Sequence, residues 1–285
     1  MKNYLQMLHE IVSEGERFPN RTGIDAISVF GKKLSFDLRK GFPLVTTKKV
    51  FFRGVIEELL WILRGETNIK SLNEKGVHIW DEWADRDGDL GPVYGKQWRN
   101  FSGVDQIEAL VESLLTNPRS RRHVVSGWNP EFIPGDVLTP QENVSYGLMA
   151  LAPCHMVFQC YIGKDEDGGR LLDMQVYMRS VDSFLGIPFN IAIYAALTHI
   201  LAFVCRAKPG NLHMVLGDTH IYENHLPQIA EQLSRVPRKL PTLKFYPEAM
   251  FRSNDVGGFI ENLSFEDFVL TEYDPYPALP GEVAV

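Results

Sequence analysis

Apolar and polar positions repeat along the chain with two different periods, and each change of period marks an element. Over residues 2–15 apolar side chains fall at Leu5, Leu8, Ile11 and Val12, the spacing of an amphipathic helix. From Ala26 to Leu38 the stretch AISVFGKKLSFDL alternates, and its internal glycine predicts a strand pair turning there. Residues 53–64, RGVIEELLWILR, are apolar nearly all round. Such a helix is buried, yet it carries Glu57 and Glu58. Residues 104–116 form a further amphipathic helix, stopped at Asn117-Pro118. His155–Ile162 and Leu171–Arg179 read as strands joined by a Gly168-Gly169 turn, and Phe189–Cys205 as a long buried helix. Short strands and loops are expected from Phe245 onward. Strands and helices mixed without regular alternation predict an α+β fold, one large mixed β-sheet packed with helices. No repeat or linker interrupts the chain, so residues 1–285 are read as a single domain.

Charge and cysteine usage narrow the function. A formal net charge of −7 argues against nucleic acid as the primary ligand, because that work needs a basic face. It leaves room for a small anion met by a local cluster of arginines. The three cysteines, Cys154, Cys160 and Cys205, include no CxxC pair, so neither a disulfide framework nor a zinc site is expected, and the setting is read as reducing and cytoplasmic. The N-terminal residues lack the apolar core of a signal peptide. The run Phe189–Cys205 carries Asn190 and His199, which favours a core helix over a membrane span. There is no Gly-rich phosphate loop, no HExxH and no carboxylate cluster with metal spacing, so no metal is expected.

Five groups of residues have the types that carry chemistry. Cys154, between Pro153 and His155 at the start of a strand, is either a nucleophile or a buried structural thiol. Arg21, Arg121, Arg122 and Arg179 suit phosphate if they converge and are surface residues if they do not. Asp182, Gly186 and Asn190 lead into the long helix and serve either a polar ring edge or helix capping. Gly217-Asp218-Thr219-His220-Ile221-Tyr222 reads as a sugar-hydroxyl contact or a turn. Trp80, Trp83, Tyr94 and Trp98 line a ligand or fill a core.

Taken in order, these segments resemble the thymidylate synthase family. The carrying motifs are Arg21-Thr22-Gly23, Phe42 to Lys48, Glu58-Leu59-Leu60-Trp61, Ile79 to Trp83 and Gly91 to Arg99. They continue with Ser120-Arg121-Arg122, Ala152-Pro153-Cys154-His155, Arg179-Ser180, Leu185 to Asn190 and Gly217 to Tyr222. The resemblance runs from near residue 1 to Val285. It implies that family's fold, with a face of the sheet forming a homodimer interface. It also implies reductive methylation of dUMP to dTMP, with 5,10-methylenetetrahydrofolate giving the one-carbon unit and the hydride and leaving dihydrofolate.

The same resemblance assigns roles. Cys154 adds to C6 of uracil, as a thiolate adds to a conjugated system and later leaves, and Arg179 nearby is expected to favour the thiolate. Glu58 becomes the buried acid that assists proton transfer, Tyr94 helps remove the C5 proton, and Asn190 holds the uracil edge. Arg21, Arg179, Ser180, Asp182, His220 and Tyr222 bind dUMP, and Arg121 and Arg122 reach it from the partner subunit. Glu58, Ile79, Trp80, Trp83, Asp182, Gly186, Phe189 and Ala284 meet the folate, the C-terminal tail closing over it. The sequence departs from the family pattern at Phe51, usually His, at Met178 and Val181, and after Gly23. Residues 132–148 are longer than in compact bacterial members and are expected to be a surface loop insertion. The alternative activity is dUMP hydroxymethylation within the same superfamily, water replacing hydride; Asn190 disfavours the dCMP version, which would prefer Asp there.

Overall fold

The computed structural model describes residues 1–20, 22–247 and 256–283. Among these, helices α1 to α9 span Lys2–Glu14, Phe52–Leu63, Lys70–Asn73, Tyr94–Arg99, Gln106–Thr116, Pro140–Ser145, Gly186–Val204, Leu226–Ser234 and Val256–Glu261. Strands β1 to β8 span Glu16–Phe18, Ala26–Asp37, Val124–Ser126, His155–Lys164, Arg170–Asp182, Lys208–Tyr222, Thr242–Phe245 and Phe268–Thr271. Six strands form one mixed sheet in the order β1-β2-β6-β5-β4-β3, and β7 pairs with β8 separately. All neighbours in the large sheet are antiparallel except β5 and β6, which run parallel and are joined through α7. The α+β expectation is therefore met, with one parallel pair at the centre.

Strand register explains which face the sheet buries. Successive side chains on a strand point to opposite faces. Cys160, Met174, Leu212 and Phe36 are aligned across four strands, and all are buried. Helix α7 covers that face and is mostly buried, so the long apolar run is a core helix. The next row, Gln159, Gln175, His213 and Ser35, lies on the opposite face and stays open or half-open. Helix α2 packs on α7 beyond the sheet, which buries it on all sides as its composition requires.

Several local expectations need correction. Ala26–Asp37 is one continuous strand, not a strand pair: Gly31, at φ +80°, lies opposite Gly217 and lets the strand bend while Leu34 and Phe36 keep their buried places. In α1 the buried face is Tyr4, Met7, Leu8 and Ile11, with Val12 turned to solvent, because Tyr4 bonds the Ser183 carbonyl (2.9 Å) from the core side. Gly217-to-Tyr222 is no turn but the end of β6, the longest strand described. Helix α7 begins three residues before the predicted start, at Gly186, since Pro188 falls in its first turn where an N–H is not needed. The C-terminal part includes the short helix α9 as well as strands. Met178 and Val181, which depart from the family pattern, are buried sheet residues.

Candidate active site

Carboxyl ends of parallel strands commonly carry ligand sites, and here β5 and β6 end together beside the starts of β4, β2 and α7. At that edge lies a cavity of about 730 Å³. Into it the structure brings Cys154, Glu58, Tyr94, Asn190, Arg179, Ser180, Asp182, His220 and Tyr222, together with Ile79, Trp80, Trp83, Gly186 and Phe189. Residues separated by well over 100 positions thus meet in one space. Arg121 and Arg122 do not line this cavity; both are exposed beside β3. Arg21 and Ala284 lie outside the described residues. Phe51 is 45% exposed and does not line the cavity.

Cys154 sits where β4 begins. Its backbone N–H donates to the Tyr94 hydroxyl oxygen (2.8 Å), and its carbonyl accepts from the Arg179 backbone N–H (2.8 Å). The thiol is partly open to the cavity yet closely surrounded by protein. Burial pushes its pKa up, Arg179 pulls it down and Asp182 pushes it up again. The expected thiolate bias from Arg179 is therefore outweighed by burial. The Arg179 side chain is itself held in place: Nε and Nη2 donate to the carbonyls of Pro153 (3.0 Å) and Ala152 (2.7 Å). Those bonds engage two of the five guanidinium N–H donors.

Glu58 lies deep in α2, and Trp80 Nε1 donates to its Oε1 (2.9 Å). Burial raises its pKa to about 7, against a small lowering by the Trp80 bond. A carboxyl poised there can give and take a proton near neutral pH. The Trp80 ring meets Trp83 at 5.6 Å and Tyr94 at 6.2 Å, both edge-on, so one wall of the cavity is aromatic.

Burial also drives the Tyr94 pKa well above its ordinary value, so the phenol stays protonated. Its oxygen accepts from Cys154 N–H. Its ring stacks on His155 at 4.1 Å, and His155 Nδ1 pairs with the Tyr194 hydroxyl (2.8 Å). Burial lowers the His155 pKa to about 3, so this ring is a neutral packing partner at working pH. The sequence reading took His155 only as part of a motif; its role as a support for Tyr94 needs the stack, which no spacing displays.

The opposite end of the cavity is polar. His220 Nδ1 pairs with Asp218 Oδ1 (2.9 Å), which also accepts from Ser28 Oγ (2.8 Å). The bond with His220, helped by Ser28, outweighs burial and holds the Asp218 carboxyl below its usual range. Asp218 falls within the segment that the sequence offers as a sugar-hydroxyl contact, two residues from His220 on the same side of β6, whereas Ser28 has no such signal. Asp182 Oδ1 accepts from the N–H groups of Phe184 (2.9 Å) and Leu185 (3.1 Å), fixing the turn that delivers α7. Asn190 then falls in the second turn of α7 with the cavity before it.

The segment 132–148 is not simply a surface loop. It contains α6, buries Pro140 and Asn143, and lines part of the cavity.

Comparison with known proteins agrees with this arrangement. The family described as thymidylate synthase matches residues 2–285. The chain is 46% identical to a thymidylate synthase of Francisella philomiragia and 47% identical to one of Francisella tularensis subsp. holarctica, each alignment covering 100% of both chains. The chain belongs to the thymidylate synthase family.

Proposed function

We propose that the cavity carries out the reductive methylation of dUMP to dTMP, with Cys154 as the nucleophile. The single observation that carries this reading is the meeting of Cys154, Glu58, Asn190 and Arg179 around one cavity beside an aromatic wall. The polar end, with Arg179, Ser180, His220 and Tyr222, suits a nucleotide's phosphate and sugar. The Trp80–Trp83 wall, Ile79 and Phe189 suit a flat aromatic cosubstrate. When bound, 5,10-methylenetetrahydrofolate supplies the one-carbon unit and the hydride.

The chain's own residues do the rest. Cys154 adds to C6 of the uracil, which turns C5 into a nucleophilic carbon and places negative charge on O4. The Asn190 amide offers a donor for that oxygen. Glu58, with a pKa near 7, takes and returns protons through ordered water. Tyr94, kept neutral, bonds water beside C5 as the proton leaves. The thiol must lose its proton against the burial effect, so bound nucleotide and Arg179 together are assigned the task of tilting it. Val283 lines the cavity, and the chain there is assigned the task of shielding bound folate from water.

We read the family's named members as favouring methylation over hydroxymethylation. The open face of the sheet supports a homodimer: the half-buried Val157, Tyr177 and Val215 lie in one row with the exposed Lys33, and the exposed Tyr161 lies farther along β4 on the same face. Such a face fits a second copy, and the exposed Arg121 and Arg122 fit donation to its cavity. A single domain over residues 1–285 and a reducing, cytoplasmic setting complete the reading; all three cysteines are free thiols.

The test is Cys154→Ser. With dUMP and 5,10-methylenetetrahydrofolate the parent chain forms dTMP; the variant loses turnover by at least ~10³-fold while still binding dUMP by calorimetry. A variant that keeps turnover contradicts the assignment.

A further inference from the structure

The segment from Phe132 to Leu148 is pinned at both ends. Helix α6 starts with a closed capping box: Thr139 Oγ1 accepts from the Glu142 N–H (3.2 Å), and Glu142 Oε2 accepts from the Thr139 N–H (2.8 Å). From the first turn of α6, Gln141 Nε2 donates to the carbonyls of Glu82 (3.0 Å) and Ala84 (3.2 Å). Those are the two carbonyls flanking Trp83. On the other side, Leu148 N–H donates to the Asn143 carbonyl (3.0 Å), Met149 N–H to Phe132 (3.0 Å) and Ala150 N–H to Leu90 (2.9 Å). Between these ties Pro134, Gly135, Asp136, Leu138, Pro140 and Asn143 line the cavity. The segment is thus a fixed wall, locked by one glutamine to the loop that carries the aromatic side of the site. Trp83 in turn rests edge-on against Trp80, whose indole N–H holds Glu58.

We propose that this wall is a specificity-determining part of the folate end of the site. Leu138 packs against the aromatic part of the cosubstrate, and Gln141 is a positioning residue that keeps Trp83 in register with it. The proposal rests on the reading that the Trp80–Trp83 side receives the folate. Two physical arguments support the folate rather than the nucleotide. The ties run to the loop bearing Trp83, whereas the polar end is built from β2, β5 and β6. Pro134, Leu138 and Pro140 give the wall an apolar stretch that suits a flat ring, and the wall's carboxylate at the cavity, Asp136, would repel a nucleotide's phosphate.

The test uses the full chain and two variants. Gln141→Leu removes an exposed side chain's ties, and Leu138→Ala shortens a partly exposed one, so neither opens the core. Steady-state kinetics give kcat and the KM for 5,10-methylenetetrahydrofolate, and calorimetry gives the Kd for dUMP alone. Each variant is expected to raise the folate KM roughly 3- to 10-fold, with kcat within about 2-fold and the dUMP Kd unchanged, the signature of lost binding that is equal in ground and transition states. A folate KM that stays at the parent value in both variants overturns the proposal. A dUMP Kd that rises in step with the folate KM also overturns it, since the wall would then serve the nucleotide. A parent chain that makes no dTMP at all refutes the underlying reading instead, and is distinguished by that outcome.

Discussion

Two carboxyl groups face the same cavity in opposite states. Glu58 is enclosed in α2 with one indole N–H as partner, and burial raises its pKa to about 7. Asp218, half-open at the polar end, is bonded by His220 and Ser28 and held below the ordinary carboxylate range. The chemistry of the side chains is the same; the surroundings differ. An apolar enclosure makes a carboxyl a proton carrier, and a set of donors makes it a fixed acceptor. The two ends of the cavity are assigned accordingly: protons move at the aromatic end, and a hydroxyl group is positioned at the polar end.

The largest effect that sharpens this contrast comes from Glu58→Gln. It is expected to lower kcat by about 10²- to 10⁴-fold with a small change in dUMP affinity, because a positioned proton carrier is lost. The same change alters stability with a definite sign. Below pH 4.5 the carboxyl is protonated in both the folded and unfolded chain. Between pH 4.5 and about 7 the unfolded chain releases the proton while the folded one keeps it, so stability falls as pH rises. Glu58→Gln is therefore more stable than the parent at pH 8, by up to about 3 kcal/mol, and the advantage disappears toward pH 4.5. Denaturant unfolding at both pH values measures it; an advantage that is independent of pH contradicts a raised Glu58 pKa.

An intermediate effect concerns which subunit completes the polar end. Arg121→Glu and Cys154→Ala are each expected to be inactive alone. Mixed under subunit exchange, they regain roughly a quarter of parent activity, because half the dimers are mixed and each has one complete site. No recovery, with mixed dimers shown to form by mass, contradicts donation of Arg121 across the interface. The smallest effect comes from Asp218→Asn. Losing the charge that orients His220 is expected to raise the KM for dUMP about 3- to 10-fold and leave kcat nearly unchanged. A fall in kcat comparable to that of Glu58→Gln would erase the distinction between the two ends.

What the sequence revealed follows from how local each feature is. Glu58 stood out because an acid in an all-apolar helix conflicts with its own neighbourhood, and the structure resolves the conflict with Trp80. Cys154, Asn190 and His220 were legible through short motifs, but their meeting depends on β4, β5, β6 and α7 ending at one edge, which periodicity does not state. The end of strand β6 was obscured because the segment from Gly217 to Tyr222 reads equally as a turn. In the sheet the glycines of β6 serve close approach: a Cβ at Gly217 would lie 2.7 Å from the Arg179 carbonyl oxygen, and one at Gly210 would strike Asp173. Gly31 misled in the same way, its positive φ bending a strand rather than ending it. The wall at 132–148 was hidden because its value lies in two bonds from Gln141 to backbone carbonyls almost 60 residues away, and backbone acceptors have no sequence signature.

The measurement that tests the central claim most directly is the mass of the nucleotide product. The purified chain is incubated with dUMP and 5,10-methylenetetrahydrofolate while absorbance follows dihydrofolate. A methylated nucleotide formed with one equivalent of dihydrofolate is the predicted result. A hydroxymethylated nucleotide with tetrahydrofolate left behind would keep Cys154 and the fold but contradict hydride transfer in this cavity, and an unchanged dUMP would contradict the catalytic reading altogether.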